Sequence, residues 1–281
     1  MNAATAHQWG RSAALRLGLL ALSAGAAGAA AGCSSPSVSV ASDPVAAVRD
    51  AAVVSSKIHT AKVETTVVMT VGGADRHFTG VGEFDFDRQV GTIVLQTPQS
   101  TTPLDEIITP GTLYLRQAGA KTVWRWVDAT KLPDGDLISA GYTSPVFDFA
   151  LLRGVGGDTA SGDTVHYVGQ DTDHGTPVAH YTGTLDLTTS AQQAQDPIKG
   201  ELLAAARSFS HSSVPFDAYL DAQNKLRRLV AHFSFPAEAP QHGEVQIVAT
   251  TDMFDLDKPV TVVTPPQKDV AVAQPSASAK R

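Results

Sequence analysis

From Lys62 to Val71 the chain alternates, with Val63, Val67, Met69 and Val71 on one side and Glu64, Thr66 and Thr70 on the other. A period of two is the mark of a strand with one buried face. Gly72-Gly73-Ala74-Asp75 supplies a turn, and the chain returns as Phe78 to Asp87, with Phe84 and Phe86 opposite Glu83 and Asp85. The same reading predicts strands at 91–96, 107–116, 121–128, 163–170, 176–187, 213–222, 226–235 and 244–255. Turn chemistry separates them at Gly119, at Asp173-His174-Gly175 and at Asp221-Ala222-Gln223-Asn224.

Three stretches switch to helical spacing. Asp43-Pro44 reads as an N-cap followed by proline at the first helical position. Val45, Val48, Ala52 and Ile58 then recur on one face, which predicts an amphipathic helix over 44–59. Residues 145–153 are short and strongly apolar. Residues 196–208 open on Asp196-Pro197 and carry Ile198, Leu202, Leu203 and Phe209 on one side. Beyond Lys258 the composition turns to Val, Pro, Gln, Ser and Ala, as expected of a disordered tail over 258–281.

About ten antiparallel strands with one apolar face must close into a barrel, or curl partway and be covered. With three helices available as cover, the expected fold is α+β, an unclosed half-barrel whose concave face is covered by helices. Where helices do not fill it, an apolar cavity remains. The other outcome is complete packing. Strand parity nominates Val67, Met69, Val71, Phe84, Phe86, Leu113, Leu115, Leu229 and Phe233 for the ligand-facing side. Phe147, Leu151 and Leu202 are the candidates from the covering helices.

The N-terminus changes the setting. Arg11 and Arg16 precede or interrupt an apolar run, small residues follow, and Ala30-Ala31-Gly32 leads into Cys33, the only cysteine. That is the layout of a secretory signal. The junction resembles a lipobox, with Ala30 where a leucine is usual, and Cys33 is the thiol that would carry a diacylglyceryl group. Ordinary signal-peptidase cleavage without lipid is the alternative. Residues 1–32 are thus expected to be a signal peptide, 33–42 a flexible tether, and 43–257 the folded domain. Removing 1–32 takes away two arginines and no acid, so a net charge of −7 becomes −9. An acidic chain is a poor partner for nucleic acid or for anionic headgroups. Contact with lipid then has to use apolar surface.

Catalytic patterns are sparse. There is no Gly-x-Ser-x-Gly elbow and no His-Glu-x-x-His. Gly154-Val155-Gly156-Gly157 follows a helix and reads as a loop. The histidines are scattered without ligand spacing, so neither a metal nor a cofactor is expected. Asp171-Thr172-Asp173-His174-Gly175 faintly resembles the start of a calcium loop, but a hairpin turn explains it better. Glu83, Asp85 and Asp87 share a strand face that can simply be solvated. Trp124-Arg125-Trp126 sets two indoles on one side of a strand, either a ligand platform or a core and rim pair.

Several local patterns carry a family resemblance. They are the cysteine junction; the helix after Asp43-Pro44, leading through Ser55-Ser56-Lys57-Ile58-His59-Thr60-Ala61 into the first strand; Gly111-Thr112-Leu113-Tyr114-Leu115; and Trp126-Val127-Asp128. Late in the chain come Val214-Pro215-Phe216-Asp217-Ala218-Tyr219-Leu220-Asp221 and Asn224-Lys225-Leu226-Arg227-Arg228-Leu229. With these, residues 43–257 resemble the actinobacterial LppX/LprG-type lipoproteins, which share the LolA/LolB-like half-barrel. The resemblance implies a non-catalytic protein on the extracytoplasmic face of the cell membrane. It implies carriage of a lipid or lipoglycan, with an envelope transport partner. The alternative is a sensor or scaffold of the same fold with a filled core.

Overall fold

The structure is a computed structural model that describes residues 38–98, 100–121, 123–128, 144–156, 165–196, 198–237 and 243–272. Residues 1–37, which hold the expected signal peptide, Cys33 and the start of the expected tether, lie outside the described residues. All described residues fall within one compact unit that begins at Pro36.

Asp43 is extended at φ −121° and its side chain accepts from the Ala46 amide at 3.0 Å, so α1 (Pro44–Ser55) starts where the cap pattern places it. Its buried stripe is Ala47, Val48, Ala51, Ala52 and Ser55. The helix ends at Ser55, four residues before the expected boundary. The Ser55 hydroxyl accepts from the Leu226 amide at 2.8 Å, which pins that end to the sheet.

Two meanders follow. β1 (Thr60–Val71), β2 (Ala74–Asp85), β3 (Val90–Gln96), β4 (Leu104–Thr109), β5 (Thr112–Gln117) and β6 (Trp124–Asp128) pair antiparallel in chain order. β7 (His166–Asp173), β8 (Thr176–Asp186), β9 (Ser213–Leu220), β10 (Leu226–Pro236) and β11 (Glu244–Phe254) do the same. β11 pairs with β1, which fuses the meanders into one sheet. β12 (Val270–Val272) adds itself parallel to β6, so the twelve strands run from β12 at one edge to β7 at the other and the sheet stays open. Helix α2 (Pro145–Leu152) lies between the meanders in sequence, and α3 (Leu187–Gln193) and α4 (Ile198–Ser208) lie between β8 and β9.

Alternation places Ala61, Val63, Thr65, Val67 and Met69 of β1 on the inner face, with Val245, Ile247, Ala249, Thr251 and Met253 of β11 beside them. The helices bury their apolar stripes against this face, in one core that runs from Val48 through Leu151 and Leu202 to Phe216 and Leu229. The result is a curled, unclosed α+β half-barrel with helices on its concave side, as the pattern predicts.

Four local expectations change. The strand expected at 107–116 is two strands, because Pro110-Gly111 turns the chain and Gly111 takes φ +70°. The expected strand 176–187 hands over to α3, where Asp186 accepts from the Thr189 amide at 2.7 Å and caps a helix. The sheet is mixed, since β12 is parallel. The segment from Lys258 to Val272, expected to begin a disordered tail, runs along the outer face and ends in β12. Val262 is buried there with Val90, Ile107 and Trp124. Residues 273–281 lie outside the described residues.

Candidate functional site

The helices make their main contacts with the sheet on β7, β8, β9 and β10. Ile93 and Leu95 of β3 are buried in the same core as the helices and Leu104 and Ile108 of β4 pack against it, whereas β5 and β6 contribute no residue to that core among the described residues. Its side chains follow from register. Across the sheet, Val63, Gly82, Ile93, Glu106, Leu115 and Arg125 form one inward row. Leu104 and Ile108 flank Glu106 along β4, and Leu113 precedes Leu115 on β5. Leu104, Ile108, Leu115 and Val127 are only half-buried, an apolar surface incompletely covered.

The nominated residues separate into two groups. Val67, Met69, Phe84, Phe86, Leu151, Leu202, Leu229 and Phe233 are buried in the main core, with Val71 and Phe147 half-buried at its margin. Phe84 and Phe86 meet at 4.9 Å between ring centroids, Phe86 and Phe149 at 5.3 Å, and Phe233 packs on Phe209 at 5.1 Å. Leu113, also buried, and the half-buried Leu115 stand apart from that core, on the inner face of β5.

Two carboxyl groups on the concave side were not among the nominated residues. Glu106 is 1% exposed, and neither of its carboxyl oxygens has a hydrogen-bond partner. Burial alone pushes it well above the ordinary carboxylate range. Asp148 of α2 is also buried, with one oxygen unpartnered. Burial pushes Asp148 up to about 7, while a hydrogen bond with Thr251 of β11 pulls the other way. The signals were present but faint: an acid inside an apolar helix, and an acid one residue before a strand expected to start at Ile107.

A separate polar cluster lies at the β7–β8 turn. His174 and Gly175 take φ 41° and 77°, a two-residue hairpin turn, so the calcium-like stretch is a turn. Asp173, His174 and Asp252 bring ligand-type atoms within 4.8 Å of one another. Arg228 already fills that position: its guanidinium is 2.7 Å from Asp173 and bonds Asp252 as well. It supplies the positive charge that a bound cation would bring. Burial still raises Asp173 to about 6, against the pull of Arg228. His174 stacks on Phe254 with ring centroids 4.0 Å apart.

The other singled-out groups have ordinary partners. Glu83 accepts from the Thr261 amide, Asp85 from the Arg88 amide, and Asp87 pairs with His59. Trp124 is buried in the outer cluster, with the Arg116 guanidinium 4.2 Å above its ring. A cleft of about 390 Å³ lies beside the start of α1, between Asp43, Asp50, Tyr181 and Asn224. None of the nominated apolar residues lines it.

No protein-family model and no curated protein matches the sequence. Among solved structures, the fold is similar to the lipoprotein LppX of Mycobacterium tuberculosis at 13% identity and a TM-score of 0.45, covering 78% of this chain and 98% of that one. It is similar to LprF from Mycobacterium bovis at 15% identity and a TM-score of 0.42, covering 79% and 96%. A LolA superfamily protein from Nitrosomonas europaea aligns at 7% identity and a TM-score of 0.32, covering 81% and 97%.

Proposed function

We propose that this protein is a lipoprotein anchored through Cys33 on the extracytoplasmic face of the membrane. It binds a lipid or acylated glycolipid on the inner face of β3–β6 and carries or presents it. The observation that supports this most is the uneven cover of the half-barrel. Among the described residues β5 and β6 add nothing to the core that the helices cover, and Leu104, Ile108, Leu115 and Val127 stay half-buried. An acyl chain laid there gains roughly 0.8 kcal/mol per buried methylene without any charged contact. That suits a chain whose negative charge disfavours anionic headgroups. No catalytic role is assigned to any residue.

A soluble chain starting at Ser34, purified from an actinobacterial host, is to be weighed by native and denaturing mass spectrometry. The expected result is a copurifying lipid that leaves on denaturation. A clean apo mass with no uptake of added acyl probes would instead favour a scaffold of the same fold, as the full burial of Leu151 and Leu202 would suit.

A further inference from the structure

Glu106 is costly where it stands. Its neighbours across the strands are Ile93 and Leu115, and along β4 they are Leu104 and Ile108. All four are apolar, and both carboxyl oxygens are unpartnered at 1% exposure. An unpaired buried polar group costs about 1–3 kcal/mol. A leucine of similar size would avoid that cost at this position. A carboxyl kept in such surroundings is a group waiting for a partner that the described residues do not provide.

The surroundings restrict that partner. Burial favours the neutral acid, which offers one O–H donor and one carbonyl acceptor. The complementary group both accepts and donates, as a hydroxyl does. A phosphate would need a cation close by. The nearest cation in the same inward row, Arg125, lies two strands away beyond Leu115 and is exposed. An ammonium would have to shed its water among four aliphatic side chains, a penalty that one carboxylate repays poorly.

We propose that Glu106 is a binding residue for the free hydroxyl of a neutral lipid, held on the inner face of β3–β6 with its acyl chains along Leu104, Ile108 and Leu115. The inference rests on the lipid-binding reading above and adds the chemical class of the ligand. Glu106 sets specificity: it rejects a lipid that cannot pair with it, because the carboxyl then stays buried and unsatisfied.

The test compares dioleoylglycerol, which has one free hydroxyl, with trioleoylglycerol, which has none, and with dioleoyl phosphatidic acid. Binding to the chain from Ser34 is measured for wild type, Glu106→Gln and Glu106→Leu. Wild type is expected to prefer dioleoylglycerol over both others by roughly tenfold or more. Glu106→Gln keeps a donor and an acceptor and should keep most of the preference. Glu106→Leu should lose it while still taking up trioleoylglycerol. It should also unfold at a higher temperature than wild type when empty, since an unpaired polar group is gone without leaving a hole. An unchanged preference in folded Glu106→Leu overturns the role of Glu106 and leaves lipid binding standing. So does a wild-type preference for phosphatidic acid. A lower unfolding temperature for empty Glu106→Leu overturns the premise that Glu106 is unpartnered. Uptake of none of the three lipids by folded wild type overturns the lipid-binding reading together with this one.

Discussion

Asp148 shows at the scale of one residue what the concave side costs. Its carboxyl is buried on α2, hydrogen-bonded to Thr251 with one oxygen unpartnered, and raised by burial to about 7 from an ordinary 3.8. Between those two values the folded state holds the proton that the unfolded state has released. Stability from this group is therefore complete below about pH 4, declines as pH rises toward 7, and is lost above it. The gap corresponds to at most about 4 kcal/mol. Asp148→Asn removes the titration. Urea unfolding from pH 4 to pH 8 should show the variant close to wild type at the acid end and more stable by several kcal/mol at the alkaline end. Other raised carboxyls remain in both proteins, so the difference between the two curves carries the result. A difference that stays flat across that range would mean that Asp148 does not titrate there.

Curl is an element-scale property, and glycine makes it available. A Cβ on Gly82 of β2 would sit 1.8 Å from the Thr92 carbonyl oxygen of β3, and one on Gly91 would sit 2.3 Å from the Phe84 ring. At these two positions there is no room for a side chain, and glycine there lets the paired strands bend sharply. Gly82→Val should cost about 3 kcal/mol or more, because the obstacle is backbone and cannot rotate away. Thermal unfolding reads it directly, and a variant as stable as wild type would remove Gly82 as the source of the bend. Much of this level was legible in the sequence. Strong alternation marked β1 and β11, and Asp43-Pro44 marked α1, since both signals are local. The reading of 107–116 as one strand passed over the turn pair Pro110-Gly111 between two apolar runs, and α3 was missed because Leu187–Gln193 is short and mostly polar, with little apolar periodicity to mark it. Glu106 and the inner face around it needed register, which is fixed by pairings between distant segments and not by composition. Parity alone placed Phe84 and Leu115 on the same side, but it could not tell which of them the helices would cover.

At the scale of the whole molecule, the chain closes by returning to the first meander on its outer surface. After β11 it crosses that face, where the Thr261 amide donates to Glu83 at 3.2 Å and Arg88 donates to the Val262 carbonyl at 2.9 Å. Val262 sinks between Val90, Ile107 and Trp124, and β12 then covers the free edge of β6. The segment thus braces the first meander from outside, behind the strands whose inner side chains Leu104, Ile108, Leu115 and Val127 are only half-buried. Deleting residues 258–281 uncovers Trp124 and exposes a strand edge. The expected loss is about 2–4 kcal/mol of stability, from the apolar area returned to water. Tryptophan emission should move to longer wavelength, and self-association should increase because an unpaired edge recruits a second chain. If the truncated protein keeps its unfolding midpoint and its emission maximum, the segment is dispensable to the sheet. The curvature would then rest on the inner glycines and the helices alone.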